Sequence, residues 1–170
     1  SVNTQGSLSK IEEGFKQLEG SGYGANLSMC MTTFMDTLIQ GDHDQAAKDK
    51  IAYAHDIAKD SQMAWNLAEI IRLKAVCEMT GPSFDFKEIE TTLLDSLKLA
   101  RKQGTKLWEL RTATSLAQLW GERKERGKAH DLLFPVCNWF TEGFGTTGIP
   151  ELANCCTSLV ALQGKSLVNP

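Results

Sequence analysis

The chain has 170 residues, 42% hydrophobic and 23% charged, which is typical of one globular domain, or two very small ones, and not of a disordered chain. Its 18 basic and 21 acidic side chains give a formal net charge of -3, which argues against a nucleic-acid-binding surface. The sequence contains no apolar run long enough to span a membrane and no signal peptide pattern over residues 1–20. We therefore predict that this domain binds neither nucleic acid nor membrane.

Helical periodicity dominates the chain, and glycines and prolines separate the periodic segments. A first, incomplete segment covers residues 8–20, and a weaker last one follows Pro150 over residues 149–163. Between them the apolar spacing predicts helices over residues 25–40, 44–59, 63–79, 86–103, 107–124 and 127–140. Pro135 is expected to bend the helix that contains it. Since no segment alternates strictly between polar and apolar residues, the predicted fold class is all-α.

The predicted helices form pairs, and the pairs repeat about every 40 residues. Trp65-Asn66-Leu67 corresponds to Trp108-Glu109-Leu110, which lies 43 positions later. Three triplets of small or apolar residues recur in the second helix of each pair, with offsets of 42 and 40 residues: Ala47-Ile51-Ala54, Ile89-Leu93-Ser96 and Ala129-Leu133-Val136. A lone pair cannot bury its apolar face, so this period indicates stacked pairs in an α-solenoid.

The spacing of large and small residues within each pair is typical of a tetratricopeptide repeat with slightly long helices. We predict a single domain, a right-handed solenoid of about 3.5 antiparallel pairs, or 7–8 helices. Its units are a half unit over residues 8–20, full units over 25–60, 63–104 and 107–143, and a terminal helix over 149–163. Since the chain begins at Ser1 with a half unit, we expect it to be a fragment of a longer protein.

Residues 99–144 carry a more specific resemblance. The matching segments are Ala100-Arg101-x-Gln103-Gly104, Trp108-Glu109-Leu110-Arg111, Ser115-Leu116-Ala117 and Trp139-Phe140-Thr141-Glu142-Gly143-Phe144. This stretch resembles the C-terminal tail of large bacterial multidomain signalling ATPases. In those proteins a nucleotide-cyclase or winged-helix domain precedes an AAA-like NTPase module and a long tetratricopeptide array. The resemblance implies a bacterial regulatory or scaffolding array and not the catalytic part.

Two glycine motifs resemble nucleotide-binding loops but lack their context. Gly121-x5-Gly127-Lys128-Ala129 has five intervening residues where a phosphate-binding loop has four, and Ala replaces the Ser or Thr that would hold Mg²⁺. Gly20-x-Gly22-x-x-Ala25 follows a predicted helix, whereas a dinucleotide fingerprint follows a strand. We interpret both motifs as helix–helix turns and predict no cofactor.

Neither the histidines nor the cysteines show the spacing of a metal site. His43, His55 and His130 lack the i, i+4 spacing of a helical zinc site and are predicted to be solvated or to cap helices, although a general-base role stays open. The five cysteines are odd in number and irregularly spaced, which is typical of reduced thiols in a cytoplasmic protein. Within them, the adjacent pair Cys155-Cys156 is predicted to be buried among apolar residues. We predict no metal.

Aromatic and basic residues are expected to serve the fold. The four tryptophans recur at repeat-like positions and are predicted to belong to the core, with stacking on a ligand as the alternative: Trp65, Trp108, Trp120 and Trp139. Basic residues cluster over residues 123–128, where Glu125 is interleaved, so a solvated turn is favoured over a phosphate-binding site.

The concave side of the solenoid is predicted to carry the function, because the first helix of each pair lines it. By helical position the candidate partner-binding residues are Thr32, Asp36, Asn66, Glu69, Arg111, Thr114 and Gln118. Arg111 is the strongest of them, since a guanidinium can pair bidentately with a partner's carboxylate. The alternative for Arg111 is an internal salt bridge to Glu69 or Glu109.

We therefore expect a non-catalytic, cytoplasmic module for protein–protein interaction or regulatory scaffolding. Its partner would be a protein or peptide, or another domain of the parent chain, which the resemblance suggests is a signalling ATPase or nucleotide cyclase. The alternative function is a sensor that binds a small ligand or peptide in the concave groove, near Trp65 and Trp108. A third possibility is a homodimerisation module.

Overall fold

The computed structural model describes residues 10, 13–14, 16–17, 24–40, 44–60, 64–81 and 83–140. These contain helices α1 (Gly24–Gln40), α2 (Asp44–Asp60), α3 (Leu67–Met79), α4 (Phe86–Gln103), α5 (Lys106–Glu122) and α6 (Arg126–Asn138). The described part of the chain has no strand, so the all-α prediction is confirmed there. Several predictions lie outside the described residues: the helix over 149–163, most of the half unit over 8–20, His43, and the pair Cys155-Cys156.

The helices begin and end close to the predicted residues, and only three ends differ by more than one residue. A turn of 3₁₀-helix, Ala64–Asn66, leads into α3. Helix α5 ends at Glu122, since the chain turns at Lys124, which adopts a φ of 62°. Helix α6 contains Pro135 and ends at Asn138, two residues before the predicted end.

Local capping explains why the predicted and the observed ends of α4 are the same residues. The Asp85 carboxylate accepts hydrogen bonds from the backbone N–H groups of Lys87 (2.8 Å) and Glu88 (3.2 Å). These N–H groups would otherwise have no partner in the first turn. At the other end, Gly104 takes a left-handed conformation with a φ of 68°, which glycine adopts without steric cost.

Each described helix packs against the next, and α3 also packs against both α1 and α5. We call α1, α3 and α5 the first helices and α2, α4 and α6 the second helices. One apolar core lies among α1, α2 and α3, around Met35 and Ile70, and another lies among α3 to α6, around Leu110 and Leu133. Helix α3 contributes to both cores and therefore links the two halves of the described chain.

The tryptophans divide into buried and exposed pairs. Trp108 and Trp120 are buried, at 8% and 4% exposure, as predicted for core residues. For Trp65 and Trp139 the core prediction is wrong, because these side chains are 38% and 58% exposed. Trp65 lies in the 3₁₀ turn before α3, and Trp139 follows the end of α6, so neither sits on the inward face of an α-helix.

The cysteines differ in oxidation state. Cys30 and Cys77 are free thiols, but Cys137 is disulfide-bonded, so the expectation of reduced thiols is wrong for Cys137. In the described residues, no helix combines the length and apolar character needed to cross a lipid bilayer.

Candidate functional site

Four charged side chains from the three first helices form a cluster that is buried at its centre and partly exposed at its edge, and we call it the charge network: Asp36, Glu69, Arg72 and Arg111. Glu69 is at its centre and has no exposed surface. Its Oε1 lies 2.7 Å from Nη2 of Arg72 and 2.7 Å from Nη1 of Arg111. Its Oε2 accepts a hydrogen bond from Nε of Arg72 at 2.8 Å. One carboxylate thus receives charged donors from α3 and α5.

Asp36 brings α1 into the charge network. Its Oδ2 accepts a hydrogen bond from Nη2 of Arg111 at 2.7 Å, and its Oδ1 lies 3.4 Å from Nη2 of Arg72. Arg72 also donates to Oγ of Ser115 at 3.4 Å, and this hydroxyl donates to the Arg111 carbonyl at 3.2 Å. Two carboxylates therefore balance two guanidiniums, so the cluster is neutral while its members stay ionised.

The pKa of Arg72 reflects these surroundings. Burial by itself lowers the pKa of the guanidinium, since desolvation disfavours the charged form. Attraction and hydrogen bonding to Glu69, and more weakly to Asp36, outweigh burial and raise the pKa above its ordinary value. Arg72 is therefore held as a cation.

The charge network contains three of the seven predicted site residues. Asp36, Glu69 and Arg111 meet there, and Arg111 forms the internal ion pair with Glu69 that was the alternative interpretation. Glu109 instead pairs with Arg101 and Lys106, on the other side of α5.

The other four predicted residues lie outside the charge network. Thr32 and Asn66 are 3% and 0% exposed, and Thr114, at 8%, donates to the Leu110 carbonyl. Gln118 is exposed on α5.

An aromatic pair borders the charge network, with one ring from the 3₁₀ turn before α3 and the other from α5. The rings of Trp65 and Trp108 are stacked with their centroids 6.3 Å apart. The guanidinium carbon of Arg111 lies 5.9 Å from the Trp108 centroid, within the range of a cation–π contact. Trp65 is 38% exposed, so the pair presents a partly accessible indole stacked on the buried Trp108, which in turn contacts Arg111.

A second cluster ties α4, α5 and α6 together. Glu90 accepts a hydrogen bond from Nε1 of Trp120 at 2.6 Å and forms an ion pair with Lys128. The Lys128 ammonium lies 4.1 Å from the Trp120 centroid, and Arg123 stacks over Phe86 at 3.6 Å. The hydrogen bond with Lys128 lowers the pKa of Glu90, and the same bond raises the pKa of Lys128. Basic residues of the 123–128 segment thus have contacts within the fold.

The described histidines are half-buried rather than fully solvated. His55 Nδ1 lies 3.8 Å from Asp56, and the His130 ring stacks on Phe134 with centroids 5.5 Å apart. Among the described residues, no three His, Cys, Asp or Glu side chains are arranged to hold a metal ion.

Arg72 was missed as a functional residue by sequence reasoning. Its spacing of three residues from Glu69 places both side chains on one face of α3, and this spacing was the available signal. Comparison with protein-family models, curated proteins and solved structures found no match to the chain. A functional assignment therefore has to rest on the residues themselves.

Proposed function

We propose that this chain is a non-catalytic interaction module that binds a protein or peptide on the surface of its first helices. In this proposal the helix pairs stack as a tetratricopeptide-like α-solenoid, and α1, α3 and α5 line its concave side. The partner is a separate protein or another domain of the parent chain. A rigid, multi-helix surface suits this role because little ordering is required when the partner binds.

The observation that carries the proposal is the charge network across the three first helices. Residues 36, 69 and 111 are far apart in sequence, yet their side chains meet at distances of 2.7 Å. Three successive first helices are thereby fixed into one continuous surface. Sequential packing of α1 to α6, with extra contacts among the first helices, is the pattern expected of stacked helix pairs.

The resemblance of residues 99–144 to the tails of bacterial signalling ATPases supports a regulatory role. In this proposal the chain is the C-terminal repeat region of an ATPase or nucleotide cyclase. We expect the purified chain neither to hydrolyse ATP nor to form cyclic AMP. Either activity in a homogeneous preparation would contradict the non-catalytic assignment.

Site-specific photo-crosslinking tests the interaction surface. A photo-reactive amino acid is introduced at Gln118 of α5, which is exposed on a first helix, and in a matched variant at Asp95 of α4, which is exposed on a second helix. We expect crosslinks to one defined partner, or to upstream domains of the parent chain, from position 118 only. Equal crosslinking from both positions, or crosslinking from position 95 alone, would contradict the proposal.

A second candidate function is a sensor for a small ligand or peptide, which the stacked Trp65–Trp108 pair favours. An exposed indole on a buried one, beside a guanidinium, is a surface on which a flat or apolar group can stack. Titration of tryptophan fluorescence with metabolite and peptide pools tests it. A sensor predicts saturable quenching that Trp65→Phe removes and Trp139→Phe retains, whereas the absence of quenching favours the scaffold.

A further inference from the structure

A groove between α2 and α3 lies apart from the surface proposed above. Its volume is about 360 Å³, at the small end of the range for ligand pockets. Five residues on one face of α2 line it, from Lys48 to Asp56. Three residues of α3 line the opposite side, from Lys74 to Glu78. Helix α2 packs on α1 and α3, whereas α4 packs on α3 and α5, so the stacking of the helices leaves the groove open. No member of the charge network lines it.

The floor of the groove is apolar. Ile51 and Ala52 of α2 and Cys77 of α3 line it, and Cys77 is a free thiol that behaves as a small hydrophobic side chain. Ile51 and Cys77 are 4% and 1% exposed, whereas Ala52 is exposed. A ligand seated here would cover apolar surface that water now contacts.

The rim carries basic side chains whose ion pairs are loose or absent. Lys48 has no carboxylate within 4.0 Å among those side chains that the structure describes. Lys74 lies 3.9 Å from Glu78, and Nδ1 of His55 lies 3.8 Å from Asp56. Both separations are longer than a hydrogen bond and contrast with the 2.7 Å contacts of the charge network. An incoming anion can therefore pair with Lys48 or Lys74 without breaking a strong contact.

The acidic side chains of the rim do not offset Lys48. Asp56 lies two helical turns from Lys48, about 12 Å along α2, and its carboxylate is 82% exposed to water. Glu78 has Lys74 as its basic neighbour. The end of the groove at Lys48 thus presents a positive charge beside an apolar floor.

From this arrangement we propose that the groove binds a small amphipathic monoanion, such as a medium-chain carboxylate. The apolar part of the ligand covers Ile51, Ala52 and Cys77, and its carboxylate pairs with Lys48. This site is independent of the interaction surface on the first helices, so either proposal can fail without the other.

Calorimetric titration of the full chain with octanoate tests the proposal, with octylammonium as a probe of the same length and opposite charge. We expect saturable, one-site binding of octanoate and at least tenfold weaker binding of octylammonium. Lys48→Met, which keeps the length of the side chain but removes its charge, should weaken octanoate binding at least threefold. Equal affinity for the two probes, or no saturable octanoate binding, would overturn the proposal.

A matched pair of variants locates the bound ligand. Ala52→Trp fills the groove from an exposed position, and Tyr53→Trp places the same side chain at the next residue, which is exposed and does not line the groove. We expect Ala52→Trp to abolish octanoate binding and Tyr53→Trp to leave it unchanged, with circular dichroism confirming that both variants are folded. Unchanged binding by Ala52→Trp would overturn the site. The proposal would also be overturned if the wild-type chain self-associated and Ala52→Trp were a monomer. In that case a second copy of the chain would be the occupant of the groove.

Discussion

Glu69 is the side chain on which the charge network depends. It is fully buried, and two guanidiniums donate to it at 2.7 Å. Glu69→Gln removes the negative charge and leaves Arg72 and Arg111 buried with Asp36 as their remaining carboxylate. Breaking a buried ion pair in this way typically costs about 3–5 kcal/mol. We expect the free energy of unfolding in urea to fall by about this amount.

Glu78→Gln is the matched control for this prediction. The Glu78 carboxylate is partly exposed and lies 3.9 Å from Lys74, so its loss should cost about 0–1 kcal/mol. If the two variants lost equal stability, the charge network would have no special role in folding.

The pKa of the Glu109 carboxyl leads to a prediction about how the free energy of unfolding depends on pH. Burial tends to raise the pKa of its carboxyl, but hydrogen bonds from Lys106 and Arg101 outweigh burial, and the pKa is lowered. A lowered pKa in the folded state means that the unfolded chain binds the proton more readily. The contribution of Glu109 is therefore complete above the ordinary pKa of about 4.3 and is lost as the pH falls through the lowered value.

Urea unfolding of the wild-type chain and of Glu109→Gln at different pH values checks this prediction. At about pH 6 we expect the wild type to have a larger free energy of unfolding than Glu109→Gln. This difference should shrink towards about pH 3 as the Glu109 carboxyl is protonated. If the difference did not change with pH, the Glu109 ion pairs would contribute nothing to the loss of stability at acidic pH.

At the scale of the helices, the capping of α4 gives a prediction about one side chain. Asp85→Ala removes the acceptor for two N–H groups of the first turn and should destabilise the protein by about 0.5–2 kcal/mol. Thermal unfolding measures the effect. Asp95→Ala, at an exposed position within the same helix, should be close to neutral, and a similar loss there would mean that charge and not capping is responsible.

Helix positions were predictable because the signals that end helices are local. Gly104 after α4 and Asp85 before it act through their own backbone or side chain, and each marks the observed boundary. The end of α5 was missed by two residues because it depends on Lys124, a non-glycine residue in a left-handed conformation. The charged composition of residues 123–128 predicted a turn in this segment, but it did not indicate the residue at which α5 ends.

The site was only partly predictable, because burial depends on contacts between distant helices. Helical position correctly placed Asp36, Glu69 and Arg111 on the first helices. That Glu69 is fully buried follows from the approach of α5 to α3, which no local pattern encodes. Arg72 was missed because an arginine is rarely buried unless it is paired, and its pairing with Asp36 depends on a contact between helices.

At the scale of the whole molecule, the two largest apolar cores of the described chain share α3. The charge network adds a direct link between α1, which belongs to one core, and α5, which belongs to the other. The second cluster, in which Glu90 pairs with Lys128, links α4 to α6 and does not involve α1. Different ion pairs should therefore stabilise different parts of the molecule.

Hydrogen exchange followed by mass spectrometry tests this division of roles. Arg111→Gln removes the 2.7 Å contact between α5 and Asp36, so α1 should open more often. We expect amide exchange in α1 to rise by about three- to tenfold, with exchange in α6 unchanged. Lys128→Gln, as the reciprocal variant, should raise exchange in α6 and leave α1 unchanged. If both variants raised exchange evenly over all six described helices, the fold would open as one cooperative unit and the charge network would not act locally.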